Sequence, residues 1–327
     1  MFRCLCGLFS NSHSNINDIP PSQESASEGQ IGKYIAKVSP CQADPQSWMV
    51  HACARRISDK TPKHTEPQSS TTCSMLSALK RRTEEENKER WLCAAKQGDL
   101  PDIQALIDSG VALNMINVAN PDGTTALIFA ALNGHVAILD ILLKITSVDV
   151  NAADHHGVTA LLAATHFAHN EAMARLLKEF SIDVNAADSE GDTALIRAAF
   201  QGNRQGVEIL LGMPEIQVNT TDRSGASALK WAASENHLQI VAMLLKISGI
   251  AVNTADDCGD TALIEAASEG HIEVVRMLLQ VPELHLNVKN KNDKTALNRA
   301  TTRGHDKIVT LLLNMPGIRH GNTLTAQ

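Results

Sequence analysis

The sequence predicts an all-α repeat solenoid behind a mostly disordered N-terminal tail, and three observations carry that expectation. A Thr-Ala-Leu or Ser-Ala-Leu block recurs with its first Ala at Ala126, Ala160, Ala194, Ala228, Ala262 and Ala296, a 34-residue period held without a slip. Self-similarity at a fixed period of this size marks a stacked array, and six registered copies exclude chance. Each copy also reads in one order, as in "DGTTALIFAALNGHVAILDILL" (122–143): a Gly-containing turn, an apolar run, a Gly break and a second apolar run. That order spells hairpin, helix, turn, helix. Residues 1 to about 73, by contrast, are rich in Ser, Pro, Gln and Thr.

In chain order the tail comes first. "NSHSNINDIPPSQESASEGQ" (11–30) and "SDKTPKHTEPQSSTT" (58–72) carry few apolar groups, too few to offset their ordering entropy. A short helix is expected around "SWMVHACARRI" (47–57). From Ser74, "SMLSALKRRTEEENKERWLCAAKQG" combines strong helix formers with i,i+4 charge pairs, a helical lead-in. It runs into a degenerate seventh copy, "RWLCAAKQGDLPDIQALIDSG" (90–110). The expected divisions are a regulatory region over 1–86, a repeat domain over 87–320 and a C-terminal tail over 321–327.

Within a repeat the hydroxyl before Ala-Leu caps the first helix. Ala pairs such as Ala130/Ala131 and Ala198/Ala199 let neighbouring helices approach closely. The first helix stops at Gly134, Gly202, Gly270 and Gly304, where positive φ is easily adopted. Asn236 tolerates that conformation; Ala168 does not, so strain of about 1 kcal/mol or a changed turn is expected there. The second helix sets Ile138, Leu142 and Leu143, or Val274, Leu278 and Leu279, on one face. Linkers such as "VDVNAADHHG" and "IAVNTADDCG" are Asp-x-x-Gly turn chemistry.

Composition narrows the function classes. The net charge of −7 is uneven: residues 1–86 carry 10 basic and 9 acidic side chains, leaving 19 and 27 for the remainder. An acidic array argues against a nucleic-acid groove, which needs clustered Lys and Arg. Five of the seven cysteines (Cys4, Cys6, Cys41, Cys53, Cys73) precede the repeats; with Cys93 and Cys258 in unrelated contexts they make no disulfide framework, and a reducing, cytoplasmic compartment fits. No run reaches transmembrane length, and "MFRCLCGLF" is too short for a secretory h-region.

These residues resemble the ankyrin repeat family. Its pattern D-x-x-G-x-T-P-L-H-x-A-A-x-x-G-H-x-x-V-V-x-x-L-L is matched by Asp256, Gly259, Thr261, Leu263, Ala266, Ala267, Gly270, His271, Val274, Val275, Leu278 and Leu279. Three departures stand out. Ala replaces the family's Pro in all six copies; its motif His is replaced by Ile128, Leu162, Ile196, Lys230, Ile264 and Asn298; and the usual Gly after the second helix is missing from an interval one residue longer, as in "LLKEFSIDVN". The combination with a Ser/Gln-rich tail also resembles ankyrin effectors that intracellular bacteria deliver into host cells, which implies the host cytoplasm.

Enzyme signatures are lacking. "GQIGKY" (29–34) has neither the spacing nor the hydroxyl of a phosphate loop, and HExxH, GxSxG and paired CxxC are absent. Cys41, His51, Cys53, His64 and Cys73 are too irregularly spaced for a zinc set. His135, His169, His237, His271 and His305 recur with the repeat and read as structural turn residues. No catalytic residue, metal or cofactor is expected.

The resemblance implies that partners dock on hairpin tips and on the exposed side of the first helices. The fifth residue of each Thr-Ala-Leu block is Phe129, Ala163, Arg197, Trp231, Glu265 and Arg299; one turn on lie Leu132, His166, Phe200, Ser234, Ser268 and Thr302. Phe129, Leu132, His166, Phe167, Arg197, Phe200, Trp231, Glu265 and Arg299 are therefore the expected partner-binding set, an aromatic stripe flanked by charge. The alternative, that some aromatics fill gaps between helices, stays open. The tips (His155/His156, Ser189/Glu190, Arg223/Ser224, Asp257/Cys258, Lys291/Asn292) extend the same surface.

Three further features are readable. Asn151 and Asn185, each after Asp-Val and eight residues beyond Leu143 or Leu177, resemble acceptors of ankyrin asparaginyl hydroxylation, although the repeat imposes that spacing anyway. Cys4 and Cys6 among Phe2, Leu5, Leu8 and Phe9 suit S-acylation, and Phe2 excludes N-myristoylation. "RRIS" (55–58) resembles a basic-directed kinase site. The expected function is a non-enzymatic, monomeric scaffold binding a protein partner on a concave face centred on repeats two to five, with no nucleic acid and a membrane only through acylated Cys4 and Cys6. The alternative is a membrane-tethered or enzyme-linked adaptor whose activity lies in residues 1–86.

Overall fold

The computed structural model describes the backbone of residues 69–319 and side chains from residue 83 onward. The 47–57 helix, Cys4, Cys6, the 55–58 motif, residues 41, 51, 53 and 64, the side chain of Cys73 and the C-terminal tail lie outside the described residues. The described residues from Arg82 onward form one compact unit. Helix α1 (Ser69–Gln97) runs unbroken through residues 86 and 87, so the lead-in and the first helix of the degenerate repeat are one element. Fourteen helices and no strand occur among the described residues.

Seven helix pairs follow one plan. The end of α1 pairs with α2 (Leu100–Asp108), whose Asp99 side chain accepts from the Asp102 N–H. Then come α3 (Ala126–Leu132) with α4 (Val136–Leu142), α5 (Ala160–His166) with α6 (Asn170–Leu176), and α7 (Ala194–Gln201) with α8 (Arg204–Leu211). The array ends with α9 (Ala228–Ser234) and α10 (Leu238–Leu244), α11 (Ala262–Glu269) and α12 (Ile272–Leu278), and α13 (Ala296–Thr302) and α14 (Asp306–Leu313).

Each first helix starts because Thr125, Thr159, Thr193, Ser227, Thr261 or Thr295 holds an extended backbone while its hydroxyl accepts from the N–H three residues on, at 3.2–3.3 Å. The residues replacing the family's motif His do other work. Ile128, Leu162, Ile196 and Ile264 are buried in the core. Asn298 instead completes a capping box with Thr295. α3, α7, α11 and α13 are followed by left-handed Gly134, Gly202, Gly270 and Gly304, and α5 and α9 by Ala168 and Asn236 in the same positive-φ conformation, at 54° and 59°. The second helices end without it: Leu143, Leu177, Leu245 and Leu279 are right-handed caps, so the longer interval replaces the glycine turn.

The hairpins close through Asp154, Asp188, Asp222 and Asp256, each accepting backbone N–H groups two and four residues on. The last hairpin departs from the pattern, with Asn290 in the Asp position and Asp293 at φ 57° where the others hold glycine.

Three ladders then join repeat to repeat. An imidazole Nε2 of His135, His169, His237, His271 and His305 meets the carbonyl oxygen of Lys96, Leu132, Phe200, Ser234 and Ser268, at 2.8–3.1 Å. Asn117, Asn151, Asn185, Asn219, Asn253 and Asn287 each accept an N–H 32 residues on and donate to a carbonyl 30 residues on. At the tips, N–H groups of His155, Ser189, Arg223, Asp257 and Lys291 donate to the preceding hairpin.

The core is one continuous strip. Fully buried alanines (Ala130, Ala131, Ala164, Ala198, Ala199, Ala232, Ala233, Ala266, Ala267) line the first helices, and those helices pack more closely on one another than the second helices do. Between second helices sit bulkier Ile138, Leu142, Met173, Leu176, Leu210, Leu244 and Leu278. Small side chains therefore line the first helices of the stack and bulky ones the second helices.

Candidate partner-binding face

The residues expected to form the stripe divide once their surroundings are known. Phe129 does not point outward: it is 8% exposed and packs in the core, with Lys96 Nζ 5.9 Å from its ring centroid. The end of α1 covers it, so this aromatic fills a gap between helices. Leu132 is half-buried against the same core. Phe167 and Phe200 remain 44% and 38% exposed, and Trp231 is half-buried. The Phe200 ring meets Trp231 edge-on at 5.1 Å and 78°, a favourable aromatic geometry. Phe167 stands edge-on to His166 at 4.7 Å.

Polar groups hold this surface in place. Trp231 Nε1 donates to Asp222 Oδ2 at 2.8 Å. Arg197, in the equivalent position one repeat earlier, reaches Asp188 at 2.6 Å and Asp192 at 2.7 Å. Lys230, at the motif-His position, is 6% exposed; its ammonium pairs with Asp256 of the following hairpin at 3.1 Å and lies 5.3 Å from the Trp231 centroid. Arg299 faces Asp260 at 3.7 Å, and Asp260 accepts from the Asn290 amide at 2.7 Å. Gln201 donates to the His166 carbonyl at 2.7 Å.

Burial shapes the titration of this surface. It lowers the His166 pKa, assisted by Arg197. Burial also raises the Asp192 pKa from its ordinary 3.8 to about 6; Arg197 opposes this, while Asp188, Asp222 and Glu190 add to it. Glu265 is raised for the same first reason, against Lys230 and Arg299 and with Asp260 and Glu269.

Sequence reasoning missed the anchoring carboxylates Asp188, Asp192, Asp222 and Asp256 and the cation Lys230. The signal was present as a constant nine-residue step, Asp188 to Arg197 and Asp222 to Trp231. It also missed Phe180, fully exposed in the turn after α6. Asn151 and Asn185 are members of the six-residue Asn ladder and are not singled out within it. Among the described residues no group of His, Cys, Asp and Glu is placed to hold a metal, and no helix is long and apolar enough to cross a membrane.

Comparison with known proteins agrees with the architecture. A family model described as ankyrin repeats in three copies matches residues 91–188, 147–222, 176–256 and 229–323. A search of curated proteins gives no match. Among solved structures, an ankyrin repeat domain from Acinetobacter baumannii is 32% identical, with TM-score 0.53, covering 57% of this chain and 95% of its own. The ankyrin repeat domain of Bcl-3, a member of the IkappaB family, is 26% identical with TM-score 0.59, covering 68% and 97%. The ankyrin repeat protein EF0377 is 26% identical with TM-score 0.55, covering 60% and 99%. Repeats of this kind generally serve as protein–protein interaction modules. With the family model spanning most of residues 91–323 and the helix pairs stacked in the matching order, the chain belongs to the ankyrin repeat family.

Proposed function

We propose that the chain is a non-enzymatic scaffold that receives a protein partner on its concave first-helix face, around Phe167, Phe200 and Trp231. The observation that carries this reading is the Phe200–Trp231 pair. Two large aromatic side chains stay partly open to solvent above first helices whose alanines are buried, and Trp231 is oriented by Asp222. An aromatic held in one rotamer loses little entropy on docking, which is why such residues dominate interface energetics. Leu132, His166, Arg197, Glu265 and Arg299 form the rim of the face. Phe129 lies beneath it as support.

The test is cross-linking of the full chain in its native cell, comparing wild type with a Phe200→Ala/Trp231→Ala double variant. A Phe180→Ala variant serves as control, since that exposed aromatic sits in an outer turn. The reading expects the cross-linked partner to be lost from the double variant and retained by the control. Equal capture by all three proteins removes the concave face from the interaction.

A further inference from the structure

We propose that the array opens at one place, the junction between α5–α6 and α7–α8, and therefore behaves as two cooperative blocks, α1–α6 and α7–α14. The junction has this property whether or not a partner docks on the first helices.

Six junctions join the seven helix pairs. Five of them are crossed by an imidazole-to-carbonyl rung, from His135, His169, His237, His271 and His305. At the sixth the turn residue is Asn203, and its side chain folds back on its own helix. There Oδ1 accepts from the Gly206 N–H at 2.9 Å and Nδ2 donates to Asn170 Oδ1 at 2.8 Å. The carbonyl that the rung would use belongs to His166, by the same 37-residue step as at His169. Gln201 Nε2 takes it instead, at 2.7 Å. Gln201 is exposed, and ordering its long side chain costs rotamer entropy, so this rung is the weaker one.

Three more features fall at the same junction. Its turn holds Ala168 at φ 54°, a strained conformation for an L residue; Asn236, the other non-glycine in this role, is a type that tolerates it. Next, α6 and α8 carry Ala172 and Gly206 where α4, α10, α12 and α14 bury Ile138, Ile240, Val274 and Ile308. The branched side chains that stack between second helices elsewhere are missing here, and glycine in the first turn of α8 weakens that helix. A Cβ at Gly206 would clash with Asn203 Nδ2, so the inturned amide requires the missing side chain. Last, α5 and α7 are the least closely packed neighbours among the first helices from α3 onward.

The outer tethers persist. Asn185 still bridges to residues 215 and 217, and the Ser189 N–H still donates to the His156 carbonyl at 2.7 Å. What loosens is the layer of helices and turns between them. In a stacked array coupling passes only through neighbouring junctions, so one weak junction divides the cooperative unit. Phe167 immediately precedes Ala168 and Phe200 lies on α7, so the exposed aromatics straddle the junction and opening changes their spacing.

Hydrogen exchange of the full chain in sub-denaturing urea, read by mass spectrometry, tests this. Amides of α2–α6 are expected to share one profile and those of α7–α14 another, roughly tenfold apart in rate, with the step between residues 177 and 193. Ala168→Gly/Asn203→His supplies the glycine and imidazole of the other junctions and should bring the two profiles within about twofold of each other. His271→Asn/Val274→Gly transplants the weak pair and should add a step between α10 and α11. One profile from α2 to α14 in the wild type overturns the proposal, as does a step at another junction. A step that persists in a folded Ala168→Gly/Asn203→His variant overturns it too, because the missing rung is then not the cause. Should that variant not fold, the wild-type profile and the transplanted pair decide: no added step with the transplant overturns the proposal.

Discussion

Trp231 and Asp222 lie nine residues apart, and the indole Nε1 donates to the carboxylate at 2.8 Å across the space between hairpin and first helix. Arg197 and Asp188 repeat the relationship one unit earlier at 2.6 Å. The hairpin aspartate therefore has two tasks in these repeats. Its Oδ1 closes the turn by accepting backbone N–H groups, and its Oδ2 accepts from Arg197 or Trp231 of the first helix that follows.

Asp222→Ala is expected to cost about 2 kcal/mol in urea unfolding, because the N–H groups of Ser224 and Ala226 and the indole lose their acceptor together. Asp222→Asn should retain most of that stability, since Asn290 closes the last hairpin with the same bonds. It should still free the indole, read as faster exchange of the Trp231 Nε1 proton. Equal loss in both variants would show that the turn does not depend on the Oδ1 acceptor.

Stability should respond to pH through Asp192. Its carboxyl binds a proton more tightly folded, at about 6, than at the ordinary 3.8. Its contribution is therefore complete below about pH 4 and is lost as pH rises to about 6. Asp192→Asn is expected to flatten the stability profile in that window and to raise stability at pH 7 by about 1–2 kcal/mol. Arg197 keeps its partner Asp188 in that variant. Urea titrations at pH 4, 5, 6 and 7 check this, and an unchanged slope would refute it.

Phe129→Ala and Phe200→Ala separate packing from docking. The first empties a core site and should cost about 3–4 kcal/mol. The second loses a partly exposed ring and its edge contact with Trp231, about 1 kcal/mol. Partner capture should follow the opposite order once both proteins are compared in their folded range.

Ala168→Gly should stabilise the protein. Ala168 is exposed and held at φ 54°, a conformation that costs an L residue about 1–2 kcal/mol. The added freedom of the unfolded chain returns about 0.4–1 kcal/mol of that. A gain of about 0.5–1 kcal/mol is expected in thermal or urea unfolding. Loss of stability would mean that the turn around Ala168 needs its methyl group.

Much of this architecture was legible because the repeat repeats its own evidence. Thr125 predicts a cap, and Thr159, Thr193, Thr261 and Thr295 predict it again; glycine at 134, 202, 270 and 304 does the same for the turn. The exposed side of the first helices was legible only in outline. Trp231 and Phe200 stand where the pattern put them, whereas Phe129, in the same repeat position as Trp231, is covered by the end of α1. A periodic rule treats equivalent positions alike, and an array cannot, because its first registered repeat meets an atypical neighbour.

The sequence alone determined the unit, its period, its helix starts and stops and the small residues that let first helices approach, because each depends on groups within a few residues of one another. Only the tertiary structure decided what passes between units. The imidazole of His271 reaches the Ser234 carbonyl across 37 residues, Asn185 bridges to residues 215 and 217, and Lys230 is buried against Asp256. Such partners are set by stacking distance and by which neighbour covers which face, and a polar side chain within the strip takes whichever donor or acceptor the next repeat supplies.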